Sequence, residues 1–152
     1  MRPQVESVLN NLLLTLVRRL HQIFGWTIFV VFLLTGQYMA RYHNHLVGTS
    51  DGARMLYRSR HIYILLAGLL NISLGIYFSY ATQRWQRRLQ IMGSLVIIAT
   101  TLILLPAFFY EPLGSPDQTR LSYFGIIGMA LGMLLHFLGK PKSDRTAVNS
   151  DL

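Results

Sequence analysis

Long apolar runs separated by short basic clusters set the pattern of this chain. A membrane span needs about 20 mostly apolar residues, and four runs meet that length. They extend from Gln22 to Ala40, from Ile62 to Tyr80, from Leu89 to Tyr110 and from Leu121 to Gly139. Ahead of them, Val5, Val8, Leu9, Leu12, Leu13, Leu16, Val17 and Leu20 recur at helical spacing. Gln4, Glu6, Asn10, Asn11, Thr15, Arg18 and Arg19 fill the other side. That pattern predicts an amphipathic helix over residues 1–20, lying on the membrane surface and leading into the first span. A cleavable leader is not expected, because Arg18 and Arg19 interrupt the apolar stretch and no small-residue cleavage site follows. Short connections favour antiparallel neighbours. The expected fold is therefore an all-α, four-helix transmembrane bundle, up-down-up-down, over residues 21–139, followed by a polar tail at 140–152. Pro106 predicts a kink late in the third span. Glu111, Pro112, Gly114, Ser115, Pro116 and Asp117 predict a turn-rich loop before the fourth.

Composition supports the membrane assignment. The chain has 152 residues, enough for one domain, and only 13% of them are charged. Soluble domains carry about 25%. The mean hydropathy is +0.38. The net charge of +8 would suggest a nucleic-acid partner in a soluble protein. Here the basic residues lie in short clusters between spans, without a basic stripe of interleaved aromatics, so nucleic acid is not expected and lipid head groups are. Arg2, Arg18, Arg19, Arg84, Arg87, Arg88, Lys140, Lys142 and Arg145 fall on the side of the termini. Arg41, Arg54, Arg58, Arg60 and Arg120 fall on the other. The excess places both termini in the cytoplasm of a bacterial-type inner membrane. Trp26, Trp85, Tyr38, Tyr80, Tyr110 and Tyr123 sit near span ends, where aromatic rings anchor at head-group depth. The absence of cysteine excludes disulfides, iron–sulfur clusters, cysteine nucleophiles, cysteine zinc sites and covalent c-type haem.

No Asp, Glu, Lys or Arg falls in the middle of a span, which weighs against a proton-coupled transporter or a voltage sensor. Asn71, Ser73, Thr100 and Thr101 are central and polar, as expected of residues that hydrogen-bond between helices. The histidines carry the candidate chemistry. His21 opens the first span and His136 nearly closes the fourth, at the same side and at matching depth. Gly25 lies one turn deeper than His21, and Gly132 one turn deeper than His136. Gly125, Gly128, Gly132 and His136 share a stripe. Two imidazoles facing each other over a glycine-lined slot would suit haem b, with His21 and His136 as axial ligands to its iron. The alternative is that the glycines serve helix packing and the histidines bond to carbonyls or water. Met129, Met133 and His136 also share a face, a soft donor set for copper(I), although methionine commonly fills core gaps.

His61 shares its own stripe with Gly68, Asn71 and Gly75, at the opposite end. Its possible partners there are His43 and His45. Arg58, Arg60 and His61, with Arg41, Arg54, Tyr42 and Tyr57, predict an outer site for an anion such as a quinone-site partner, an acidic ligand, a haem propionate or a lipid head group. The span count and the placement of histidine on helices resemble four-helix b-type cytochromes of bacterial membranes, and that layout implies haem b and redox chemistry. Two functional classes follow. One is a small multi-pass, non-catalytic subunit or accessory protein whose Gly- and His-lined faces serve packing, a partner membrane protein or a second copy. The other is a haem-binding redox or haem-handling protein using His21 and His136.

Overall fold

The computed structural model describes residues 2–42, 44–79, 81, 83–114 and 119–140. His43, Tyr80, the turn residues Ser115, Pro116 and Asp117, and the tail beyond Lys140 lie outside them, as do the side chains of residues 2–7 and 9–11. The order is α1 (Arg2–Tyr42), a 3-10 turn (Asn44–Leu46), α2 (Asp51–Tyr77), α3 (Arg84–Tyr110), a second 3-10 turn (Glu111–Leu113) and α4 (Arg120–Leu138). Each of the four helices is long and apolar enough to cross a membrane.

The helices end where local chemistry stops them. Ser50 caps α2 by accepting from the Ala53 amide, and Asp51 adds negative charge to its first turn. At the other end, Arg18 of α1 donates to the carbonyl oxygens of Gly75 (3.2 Å) and Ile76 (2.9 Å). A guanidinium is well suited to the unpaired carbonyls of a helix C-terminus. Gln90 holds the connection from α2 to α3: its amide oxygen accepts from Ala81 and its nitrogen donates to the Ser79 carbonyl. The α1–α2 connection turns through left-handed backbone at His45, Leu46 and Gly48. Leu46 is buried there, so core packing holds a conformation that a leucine rarely adopts.

α1 runs through residue 20 without a break, so the N-terminal segment leads directly into the first span, and Arg18 reaches from it to the end of α2. One expectation changes: α2 begins at Asp51, well ahead of Ile62, so Arg54, Arg58 and Arg60 belong to a helix and not to an outer loop. α3 continues through Pro106 to Tyr110.

Contacts run in opposite numerical senses along neighbouring helices. Gly75, Gly68 and His61 of α2 meet Arg18, Gly25 and Gly36 of α1 in turn. Gly93, Thr100 and Leu104 of α3 meet Gly132, Gly128 and Gly125 of α4. The faces so buried carry many small or polar residues. α4 buries Ser122, Gly125, Met129 and Gly132. Its exposed positions include Phe124, Ile127, Leu131, Leu134 and Phe137. α3 buries Gln86, Gln90, Gly93, Ser94, Thr100 and Thr101 beside Ile97, Leu104 and Phe108. Large apolar side chains are exposed on every helix, more than the surface of a soluble domain carries, while Ile28, Ile64, Ile97, Leu104 and Phe108 fill the core.

Candidate functional site

Two buried polar clusters lie at opposite ends of the bundle. The first joins α1, α2 and α3. Thr101 donates its hydroxyl to the Ile97 carbonyl (2.7 Å), so its oxygen is free to accept from Asn71 Nδ2 (3.2 Å). Asn71 Nδ2 also donates to the Ala67 carbonyl (2.8 Å). A carbonyl only accepts, so these contacts fix which way the amide points. Asn71 Oδ1 therefore faces His21 Nδ1, at 2.8 Å, and must accept from it. His21 Nδ1–H is thereby committed to Asn71, so in the neutral ring the lone pair lies on Nε2. His21, Asn71 and Thr101 are all fully buried. Among the described residues, His21 Nε2 has no hydrogen-bond partner.

His136 of α4 lies at the same end. Its Nε2 is 3.2 Å from Ser94 Oγ, and its ring meets Phe78 edge-on with centroids 5.4 Å apart. Ser94, Ile97 and Thr101 share one face of α3, so both histidine clusters hang from that face, about two turns apart. His21 and His136 bond to different partners, Asn71 and Ser94.

The expected slot is closed. A Cβ built on Gly25 would lie 2.6 Å from the Ile72 amide nitrogen and 3.0 Å from the Gly68 carbonyl. One on Gly132 would lie 3.0 Å from the Gly93 carbonyl and 2.5 Å from an Ile97 side-chain carbon. Both glycines abut neighbouring helices, so the space assigned to a macrocycle is filled by backbone. The donor chemistry of His21 suits a haem iron, since a ligating imidazole donates its other N–H to a carbonyl-type oxygen. Gly25 and Gly132 do not supply the cradle that haem needs.

The second cluster sits at the far end. Arg60 Nε donates to Glu111 Oε2 at 2.6 Å, with both side chains almost wholly buried. The Ser122 amide donates to Glu111 Oε1 (2.9 Å), and the Ser122 hydroxyl donates to Oε2. Arg60 also donates to Ser59 Oγ and lies over the Tyr63 ring. This corrects the outer anion site: the anion that Arg60 binds is Glu111 of the same chain. Arg58 is exposed, and His61 turns to α1. Thr35 donates its hydroxyl to the Phe32 carbonyl, so it accepts from His61 Nδ1 (2.9 Å). The His61 ring stacks on Phe32 with centroids 4.1 Å apart. Arg58, Arg60 and His61 therefore do not converge.

Glu111, Ser122, Ser94 and Arg18 are functional or structural residues that the span pattern passes over. One signal was available for the ion pair. Tyr57, Arg60, Ile64, Ala67, Gly68, Asn71 and Gly75 form a single helical stripe, which puts Arg60 on the buried face. Met129 packs in the apolar core with Ile28, Ile64 and Leu104. Among the described residues, no group of three or more His, Asp or Glu side chains is placed to hold a metal. The chain matches no family model, no curated protein and no solved structure.

Proposed function

We propose that this chain is a four-span integral membrane protein, threaded up-down-up-down, that acts as a non-catalytic subunit or accessory protein. The observation that carries the membrane reading is the apolar exterior of four helices long enough to cross a membrane, around an interior that mixes small and polar residues with an apolar core. Hydrocarbon solvates the outer face, while close backbone contact and interhelical hydrogen bonds hold the interior. The accessory role rests on how the interior is used. Arg60 and Ser122 both bond to Glu111, Asn71 bonds to Thr101, and the glycine seams are closed by neighbouring helices. Arg60 is neutralised within the bundle, which leaves the charge excess on the side of the termini larger than a count of residues suggests. This supports cytoplasmic termini. The exposed Val8, Leu12, Leu16 and Leu20 precede or adjoin the point where α1 meets the end of α2. We place this stretch at the cytoplasmic membrane surface. The partner class is another membrane protein or a second copy.

The haem reading keeps one observation in its favour, the unpartnered Nε2 of buried His21. A visible spectrum separates the two. Protein expressed with ample haem and purified in detergent is expected to be colourless, before and after dithionite. A Soret band with sharpened α and β bands, lost in His21→Ala and in His136→Ala, would overturn the non-catalytic reading and establish a cytochrome.

A further inference from the structure

We propose that the cleft between the ends of α2 and α4 holds the phosphate and upper acyl chain of a single anionic phospholipid. Leu74, Tyr77 and Phe78 line it from α2, and Met133, Phe137 and Lys140 from α4, around about 250 Å³. α2 closes at Tyr77 and α4 at Leu138, so the cleft lies where two candidate spans end. Head groups give way to acyl chains at that depth. The lining is graded in the same sense. Leu74 and Met133 lie about one turn inside the helix ends, and Lys140 lies beyond the end of α4. The walls are held in place. Gln90 borders the cleft, is buried, and bonds to Ser79 and Ala81 where the chain leaves α2. His136 borders it too, set by Ser94 Oγ and by the Phe78 ring. Walls fixed in this way need little ordering when a ligand enters.

Size and charge select the occupant. Pockets that enclose a whole small ligand measure about 300–1,000 Å³. This cleft is smaller, which suits one part of a larger molecule whose chains continue over the exposed apolar surface of α4, at Leu134 and Phe137. The surroundings are positive. Lys140 stands in the lining, and Arg18 donates to the Ile76 carbonyl, beside Tyr77. A Cβ on Gly139 would lie 2.8 Å from the Gln86 carbonyl, so the end of α4 meets the start of α3, where Arg84 and Arg88 are exposed. Among the described residues, the acidic side chains, Asp51 and Glu111, belong to the other end. Such clusters attract anionic lipid. The site does not depend on the accessory role.

The test uses the full chain in mild detergent. Dioleoylphosphatidylglycerol, dioleoylphosphatidylcholine and inorganic phosphate are added separately, and bound molecules are counted by native mass spectrometry. The wild type is expected to retain one phosphatidylglycerol and to bind the other two at least about tenfold more weakly, since each nearby cation favours the anionic lipid by about fivefold. Lys140→Gln is expected to weaken retention about fivefold. Met133→Trp, which fills the cleft, is expected to abolish it. Leu131→Trp, which places the same ring on an exposed position of α4 outside the lining, should leave it unchanged. A phosphatidylglycerol with a diazirine near the carboxyl end of its acyl chain locates the lipid on the wild type, so no variant's folding enters. Its cross-links are expected at the end of α2 and on α4 near Met133. Equal retention of the two phospholipids would mean annular lipid only. Equal retention of phosphate would mean a free-anion site. Unchanged retention in Met133→Trp, or cross-links confined to other segments, would remove the lipid from this cleft. Each of these results would overturn the proposal.

Discussion

Glu111→Ala is expected to remove about 3–5 kcal/mol of stability, the usual range for leaving one member of a buried ion pair without its partner. The Arg60 guanidinium is almost wholly buried. Without Glu111 its charge has no counterion, and the Ser122 amide and hydroxyl lose their acceptor. Three helices meet at that carboxylate: α2 through Arg60, α3 through the turn that carries Glu111, and α4 through Ser122. The variant should therefore unfold at a much lower temperature, measured by circular dichroism in mild detergent. A double variant, Arg60→Met with Glu111→Leu, should recover more stability than either single change, since it removes both charges together. High salt should change the wild type little, because buried pairs are poorly screened. An unaltered melting temperature for Glu111→Ala would show that the pair is open to solvent.

Gly25→Leu is expected to separate α1 from α2. The new Cβ would sit 2.6 Å from the Ile72 backbone nitrogen, and a helix backbone cannot turn aside as a flexible side chain can. Overpacking of a well-filled core costs about 1–3 kcal/mol, and forced separation of two backbones belongs at the upper end. The shift would also pull His21 from Asn71 and Arg18 from the end of α2. The same substitution distinguishes the two roles considered for Gly25. If the glycine serves packing, Gly25→Leu lowers stability and monodispersity on size-exclusion chromatography in protein that carries no haem. If it lines a slot, the haem-free protein tolerates the change.

The span pattern made four helices legible, because hydrocarbon length and apolar runs are one-dimensional properties. Asn71 and Thr101 were identified as interhelical hydrogen-bonders, and the structure bonds them to each other. What lay beyond the sequence was pairing. Nothing in the spacing of Gly25 and Gly132 says whether a cofactor or a neighbouring helix fills the space above them. The answer depends on Ile72 and Gly93, which belong to other helices. Arg60 looked like a loop cation because the hydropathy of the second span begins near Ile62, yet the helix begins at Asp51. Glu111 looked cheaply solvated at a span end. Its burial is decided by Ser122 and Arg60, 11 and 51 residues away.

The central claim is that four spans alternate in direction with both termini in the cytoplasm. Because the chain has no cysteine, single cysteines test it cleanly. Val47 and Leu113 are exposed in the two connections at one end, and Gln83 and Lys140 are exposed at the other. The measurement is labelling of Val47→Cys, Leu113→Cys, Gln83→Cys and Lys140→Cys by a membrane-impermeant maleimide, in intact and permeabilised cells. The first two are expected to react in intact cells and the last two only after permeabilisation. Reaction of Val47→Cys and Gln83→Cys from the same side would contradict the account.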